Sequence, residues 1–193
     1  MKKLLISVLI GVSLMAYFSL TILILPEQYM SNEKLISQPH FEVTISDNSI
    51  SLGESFTVDI NTTNSGEYGD IHILSTSFPD VSEIDNIVKI TTYDFTQPPT
   101  YIVPDDKIIA KYSGGLENTN AKYPSIEAMS RPVHPDSTYN LSQVITPEKD
   151  GMFSVYVKAV NIPHTSNLSH HPQEGVLDHQ DEFVQVYSIS VNP

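Results

Sequence analysis

The chain has 193 residues, with 23 acidic residues against 10 basic ones, and it contains neither cysteine nor tryptophan. The formal net charge of −13 argues against a general affinity for nucleic acid or anionic lipid headgroups and favours cations or basic partners, or simply a soluble surface. Without cysteine there are no disulfides, so an exported domain of this size must be held by its core or by a bound ion.

The first predicted element is an uncharged apolar segment, Leu4–Leu25, which follows Lys2 and Lys3 and stops at Pro26. As a helix rising about 1.5 Å per residue it would reach roughly 33 Å, enough to cross a hydrocarbon core of about 30 Å. No Ala-x-Ala-like cleavage site follows it, which favours an uncleaved signal-anchor over a removed signal peptide. The lysines before the segment place the N-terminus in the cytoplasm by the positive-inside rule.

These features predict a single-pass protein of the cell membrane whose C-terminal domain lies outside the cytoplasm. We expect a signal-anchor at residues 1–27, a tether at 28–39 and one folded domain at 40–193. All acidic residues but only eight basic ones follow the apolar segment, so the exported part carries a charge near −15 (8 − 23). The partners expected are the membrane, through the N-terminal helix, and other envelope or surface proteins, but not nucleic acid.

Alternating apolar and polar residues predict short β-strands along most of the exported part. The predicted strands are Phe41–Ile45, the best-defined run at Phe56–Ile60, Ile71–Ser75, Ile87–Tyr93, Lys107–Tyr112, Tyr139–Ile145, Phe153–Ala159 and Phe183–Val191. The proline-containing stretch Thr96–Pro104 is expected to be a loop or an edge strand. Regular structure is doubtful between Leu116 and Pro135, apart from one or two helical turns at Pro124–Met129. Seven to nine strands with almost no helix indicate an all-β antiparallel sandwich.

Two sequence segments resemble a known class of domain. Ser51–Val58, which leads into Asn61–Gly66, and Thr146–Gly151, which leads into Phe153–Val157, resemble the immunoglobulin-like modules of archaeal and bacterial surface proteins, including CARDB-type domains. The resemblance is one of fold. It implies binding, spacing or adhesion and supplies no catalytic residues. The stretch 94–137 and an insertion of about 20 residues in the final hairpin depart from the pattern.

The insertion in the final hairpin, residues 161–181, holds four of the seven histidines of the chain. Imidazole with carboxylate suits Cu²⁺ or Zn²⁺, and a loop can wrap a metal ion. The candidate ligands are His164, His170, His171, His179 and Asp178. Their spacing matches no known ligand motif, so a solvated loop is the alternative, and pH sensing by the histidines is another.

The other three histidines, His40, His72 and His134, are expected at the surface. His72 lies on a predicted strand between Ile71 and Ile73, so it should face the opposite side from them. The chain has no Gly-x-Ser-x-Gly, no His-Glu-x-x-His, no phosphate-binding glycine loop and no cysteine nucleophile, so an enzyme is not expected, although a hydrolase site assembled across loops stays open. The predicted function is therefore that of a membrane-anchored, non-catalytic cell-surface interaction or structural module. The alternative is an exported metal-binding accessory protein.

Overall fold

The computed structural model describes residues 2–20, 36–110, 117–163 and 168–193. The chain divides into two compact units, Met1–Leu35 and Ile36–Pro193. In the first unit, helix α1 spans Lys2–Phe18 and presents apolar side chains to the outside. None of the helices in the described ranges is both long and apolar enough to cross a membrane. The last residues of the predicted anchor, 21–25, lie outside these ranges, so the anchor stays a prediction.

The second unit is built of β-strands. In chain order these are β1 (Pro39–Ile45), β2 (Ser49–Ser51), β3 (Phe56–Asn64), β4 (Ile71–Ser77), β5 (Val88–Tyr93), β6 (Thr100–Ile102), β7 (Lys107–Ala110), β8 (Glu117–Asn120), β9 (Ser125–Ser130), β10 (Thr138–Ile145), β11 (Gly151–Ile162), β12 (Ser169–His171), β13 (Val176–Leu177) and β14 (Phe183–Asn192). Eight strands of the described chain have six residues or more, which agrees with the seven to nine predicted.

The strands form two sheets that pack face to face. The four-stranded sheet has the order β1-β3-β10-β5, and the eight-stranded sheet has the order β13-β14-β11-β4-β9-β6, with β12 beside β11 and β2 beside β14. The pairings are antiparallel except for the parallel pair β2–β14. A separate hairpin joins β7 to β8. The expectation of an antiparallel β-sandwich is confirmed.

The core lies between the sheets and is made by one face of each long strand. On β3 the inward residues are Phe56, Val58 and Ile60, as the alternation predicts, and on β10 they include Leu141 and Ile145. All five side chains are essentially inaccessible to solvent. Apolar burial of this kind stabilises the fold by roughly 1.5–3 kcal/mol for each large side chain.

Strand β9 corrects the sequence-based interpretation. Residues 124–129 were expected to form helical turns, but Ser125–Ser130 is a strand that pairs with β4 on one side and β6 on the other. The composition Glu127, Ala128 and Met129 favours a helix locally, and tertiary pairing overrides that preference. Short β6 is the edge of this sheet, which agrees with the prediction of a loop or edge for residues 96–104.

His72 is the second correction, because it is fully buried rather than exposed. It belongs to a polar hub, defined as Ser37, Thr62, Asn64, His72 and Asn161, whose members are all inaccessible to solvent. The hub links β3 of one sheet to β4 and β11 of the other. The His72 ring also contacts the rings of Phe95 and Tyr139, with ring centroids 6.2 and 5.6 Å away.

The hydrogen bonds of the hub fix the tautomer of His72. Backbone N–H groups of Gln38 and Gly66 donate to Asn64 Oδ1, at 3.0 and 3.2 Å, so the Asn161 atom beside Asn64 Oδ1 must be the donor Nδ2. Asn161 Oδ1 then faces His72 and accepts a hydrogen bond from Nδ1–H. Thr62 Oγ1 lies 2.9 Å from Nε2, but its one hydroxyl hydrogen is also directed to the His40 carbonyl oxygen, at 2.9 Å. Burial favours the neutral form of this ring.

Protonation of His72 should therefore oppose folding. Burial lowers the pKa of His72 to about 4, although the hydrogen bond with Asn161 acts in the other direction. Between about pH 6.5 and 4 the unfolded chain takes up a proton at this residue and the folded chain does not. The free energy of unfolding should fall by about 3 kcal/mol across this window through His72 alone. Urea unfolding at several pH values, on the protein and its His72→Gln variant, measures the difference.

The variant should lose most of this pH dependence, because its side chain does not titrate. A nuclear magnetic resonance titration of the His72 ring gives a second readout that does not need the variant to fold. Protonation of the ring near pH 6.5 in the folded protein would contradict the expectation.

Candidate functional site

The histidine-rich insertion lies along the edge of the eight-stranded sheet. Its described part, residues 161–163 and 168–181, contributes the end of β11 and the short strands β12 and β13. His164 lies outside the described residues. The other four candidate ligands each have different neighbours.

Asp178 is engaged on both of its carboxylate oxygens. Oδ1 accepts backbone hydrogen bonds from the N–H groups of Gln180, at 2.8 Å, and Glu182, at 3.0 Å. Oδ2 pairs at 2.8 Å with Nζ of Lys158, a buried lysine on β11. The Lys158 ammonium also donates to Gln180 Oε1 at 3.1 Å. The Asp178 carboxylate is therefore paired with a lysine ammonium.

The three described histidines of the insertion point to different neighbours. His170 stacks on Phe183 and its Nε2 lies 3.9 Å from Glu182 Oε2. His171 lies edge-on to Phe41, with ring centroids 4.8 Å apart, and His179 packs against the Tyr123 ring at 5.0 Å. Burial lowers the pKa of all three imidazoles, and the Asp178 and Glu182 carboxylates partly offset this for His170.

His171 also contacts His40, with ring centroids 4.7 Å apart, while the His40 side chain is exposed, as expected. Across the described ranges, no three histidine, aspartate or glutamate side chains are grouped closely enough to hold a metal ion. The structure therefore does not bring the described candidates together as one ligand set. The complete set includes His164, so the metal site stays a prediction.

The outer face of the eight-stranded sheet carries features that the sequence analysis missed. Ser75 on β4 pairs with Lys158 on β11 and with Glu127 on β9, so these three residues form one row across the sheet. Strands lie about 4.8 Å apart, which puts the Lys158 and Glu127 backbones about 10 Å from each other. Burial raises the pKa of the Glu127 carboxyl, and Lys158 opposes that shift.

Beside Glu127 the surface forms a groove of about 440 Å³, here called the Glu127 groove. The apolar walls of the groove come from the outer face of β4 and β9 and from the stretch 97–108. These wall residues are Ile73, Pro98, Tyr101, Ile102, Ile108 and Met129. The carboxylates of Glu127 and Asp106 complete the lining, with Gln97 and Thr100. A concave apolar site with a few polar groups is the usual form of a small-molecule site.

The two long departures from a simple sandwich meet on this outer face. Leu168, from the insertion, packs with Val160 and Ile73 in a small apolar cluster outside the main core. Met129 belongs to the same cluster and also lines the Glu127 groove. The outer face of the eight-stranded sheet is therefore covered by loops, whereas outward residues on the four-stranded sheet, such as Glu42 and Asn61, are exposed.

Comparisons with known proteins define the fold only. No known sequence family matches the chain, and no curated protein matches it. Among solved structures it is similar to AvmM, which catalyses macrocyclization in alchivemycin A biosynthesis, with 11% identity, a TM-score of 0.43, and coverage of 82% of this chain and 90% of that one.

Two further solved structures are similar to a comparable extent. One is a cohesin module of a family 33 glycoside hydrolase from Clostridium perfringens, with 8% identity, a TM-score of 0.38, and coverage of 81% and 98% of the two chains. The other is a CARDB domain from Pyrococcus furiosus, in complex with di-metal ions, with 12% identity, a TM-score of 0.35, and coverage of 81% and 96%. The resemblance to immunoglobulin-like modules is confirmed at the level of fold, and it carries no argument about activity.

The Lys158–Asp178 pair should be a strong determinant of stability. Asp178→Asn keeps an oxygen for the two backbone N–H groups but removes the charge that balances the buried Lys158 ammonium. Breaking a buried ion pair on one side costs about 3–5 kcal/mol. The double variant Lys158→Met with Asp178→Asn removes both charges and should recover at least half of the loss. Urea unfolding of the two single variants and the double variant measures the coupling. If the double variant loses as much free energy of unfolding as the two single variants together, the expected coupling is contradicted.

Proposed function

We propose that the protein is a membrane-anchored, extracytoplasmic immunoglobulin-like module that acts by non-catalytic interaction at the cell surface. The outer face of the eight-stranded sheet is its contact surface. One observation carries the choice of face: the excursion through residues 97–108 and the 161–181 insertion both fold onto it. Binding residues are commonly placed on such loops above a rigid scaffold.

Two features of the contact surface support interaction rather than catalysis. The ionisable groups nearest its centre, Lys158 and Asp178, neutralise each other at 2.8 Å and hold a loop in place. The exposed apolar side chains of Val176 and Leu177 lie on β13, at the edge of the same sheet. Apolar area of this kind gains free energy when a partner removes it from water.

Membrane anchorage is supported by the apolar character of Leu4–Leu25 and by the lysines that precede it. The full chain should remain in the membrane pellet after alkaline carbonate extraction of the expressing cells. Replacing Leu9 and Leu14 together by arginine should release it, because each charge at the centre of a spanning helix costs about 2.5–3.5 kcal/mol on the insertion scale. Leu52→Arg, at an exposed position of the folded unit, is the matched control and should stay in the pellet. Release of the protein without substitutions into the supernatant would refute the anchor.

Site-specific photo-crosslinking in living cells tests the contact face. A benzophenone amino acid replaces Thr100, which pairs with Glu127 on the outer face of the eight-stranded sheet, or Thr92, which pairs with Ser142 on the outer face of the other sheet. Both threonines are exposed, so both probes are accessible. We expect at least fivefold more crosslinked envelope protein from position 100. Equal yields at both positions, or no crosslinked protein at either, would overturn the proposed face.

A further inference from the structure

We propose that the Glu127 groove is a binding site for a small organic cation, an ammonium group on an apolar stem. This goes beyond the proposed function, because the groove would bind such a molecule whether or not a protein partner contacts the same face.

The charge of the lining selects for a cation. Glu127 and Asp106 are its ionisable groups, and among the side chains that the structure describes no lysine, arginine or histidine lines it. A cation entering the groove meets the carboxylates of Glu127 and Asp106. The protein's net charge of −13 also concentrates cations near its surface.

The Glu127 carboxyl is available to a ligand. Lys158, the neighbouring cation in the same row of the sheet, is directed to Asp178 and Gln180. Within the described ranges, no hydrogen bond to the Glu127 side chain is formed, although burial has removed part of its hydration. A partly desolvated carboxylate without a donor gains most from a ligand that brings charge and N–H groups together.

The apolar walls select for the stem. Ile73, Met129, Ile102 and Ile108 line the groove together with Glu127. A volume of about 440 Å³ suits a molecule with an aromatic ring and a short chain, because small-molecule sites commonly range over about 300–1,000 Å³.

Three probes of nearly equal shape separate charge from apolar contact. Phenethylamine is cationic, 2-phenylethanol is neutral and 3-phenylpropionate is anionic. Their affinities would be measured by isothermal titration calorimetry at pH 7.5 on the full-length chain held in phosphatidylcholine nanodiscs. We expect phenethylamine to bind at least tenfold more tightly than 2-phenylethanol, and 3-phenylpropionate to bind more weakly than either. Equal affinities for the amine and the alcohol would overturn the proposal.

Glu127→Gln preserves the volume of the side chain and removes its charge. It should weaken phenethylamine binding at least tenfold while the affinity for 2-phenylethanol stays within twofold, which shows that the groove is still formed. Glu148→Gln, at an exposed turn, is the matched control and should leave all three affinities unchanged. Phenethylamine affinity that survives Glu127→Gln, or falls equally in Glu148→Gln, would overturn the assignment to Glu127.

A lysine side chain of a partner protein offers the same chemistry from another source. The peptide acetyl-Leu-Lys-Leu-amide therefore serves as a fourth probe. We expect it to bind more weakly than phenethylamine, because the leucines that flank the lysine add bulk that a groove of about 440 Å³ does not accommodate. Tighter binding of the peptide would overturn the small-molecule assignment in favour of docking of a basic side chain.

Discussion

The polar hub around Asn64 is the constraint on which the sandwich depends, because it fixes how the two sheets face each other. Asn64 Oδ1 accepts hydrogen bonds from Ser37, Gln38, Gly66 and Asn161, and its Nδ2 donates to the carbonyl oxygens of Glu67 and His134. Apolar contacts between sheets tolerate small sliding movements. A buried amide whose hydrogen-bonding atoms all have partners tolerates very little displacement. With no disulfide in the chain, this network provides the specific link between β3, β4 and β11.

The hub has a consequence at the opposite face of β4. Because His72 is held inward by Asn161 and Thr62, the strand parity directs Ile71, Ile73 and Ser75 outward. Outward apolar residues in the middle of a sheet need a cover, and the 97–108 stretch and Leu168 supply it. The register of β4 therefore sets three features together: the inward orientation of His72, the row through Ser75 and the position of the Glu127 groove.

The sequence could predict most of the sandwich but not which face of each central strand is inner. Alternation located β3 and β11, where one face is apolar, and correctly put His72 opposite Ile71 and Ile73. It gave the wrong face for the core, because β4 is covered on both sides and its inner face carries a histidine. Strand β9 was missed for the same reason: Ile126 and Ala128 face the core while Glu127 and Met129 face the groove, so no simple alternation remains.

The candidate site lay beyond sequence reasoning for a related physical reason. Glu127 and Lys158 are 31 positions apart, and only the pairing of both strands with Ser75 places them in one row. The histidines of the insertion are close in sequence, which made them metal-ligand candidates. The residue that fixes the insertion is Asp178, which neutralises Lys158 and caps its own turn. A buried lysine requires such a partner before the fold can close. The Lys158 ammonium pairs with Asp178 and is not directed to the neighbouring Glu127. The Glu127 carboxyl group therefore faces the groove.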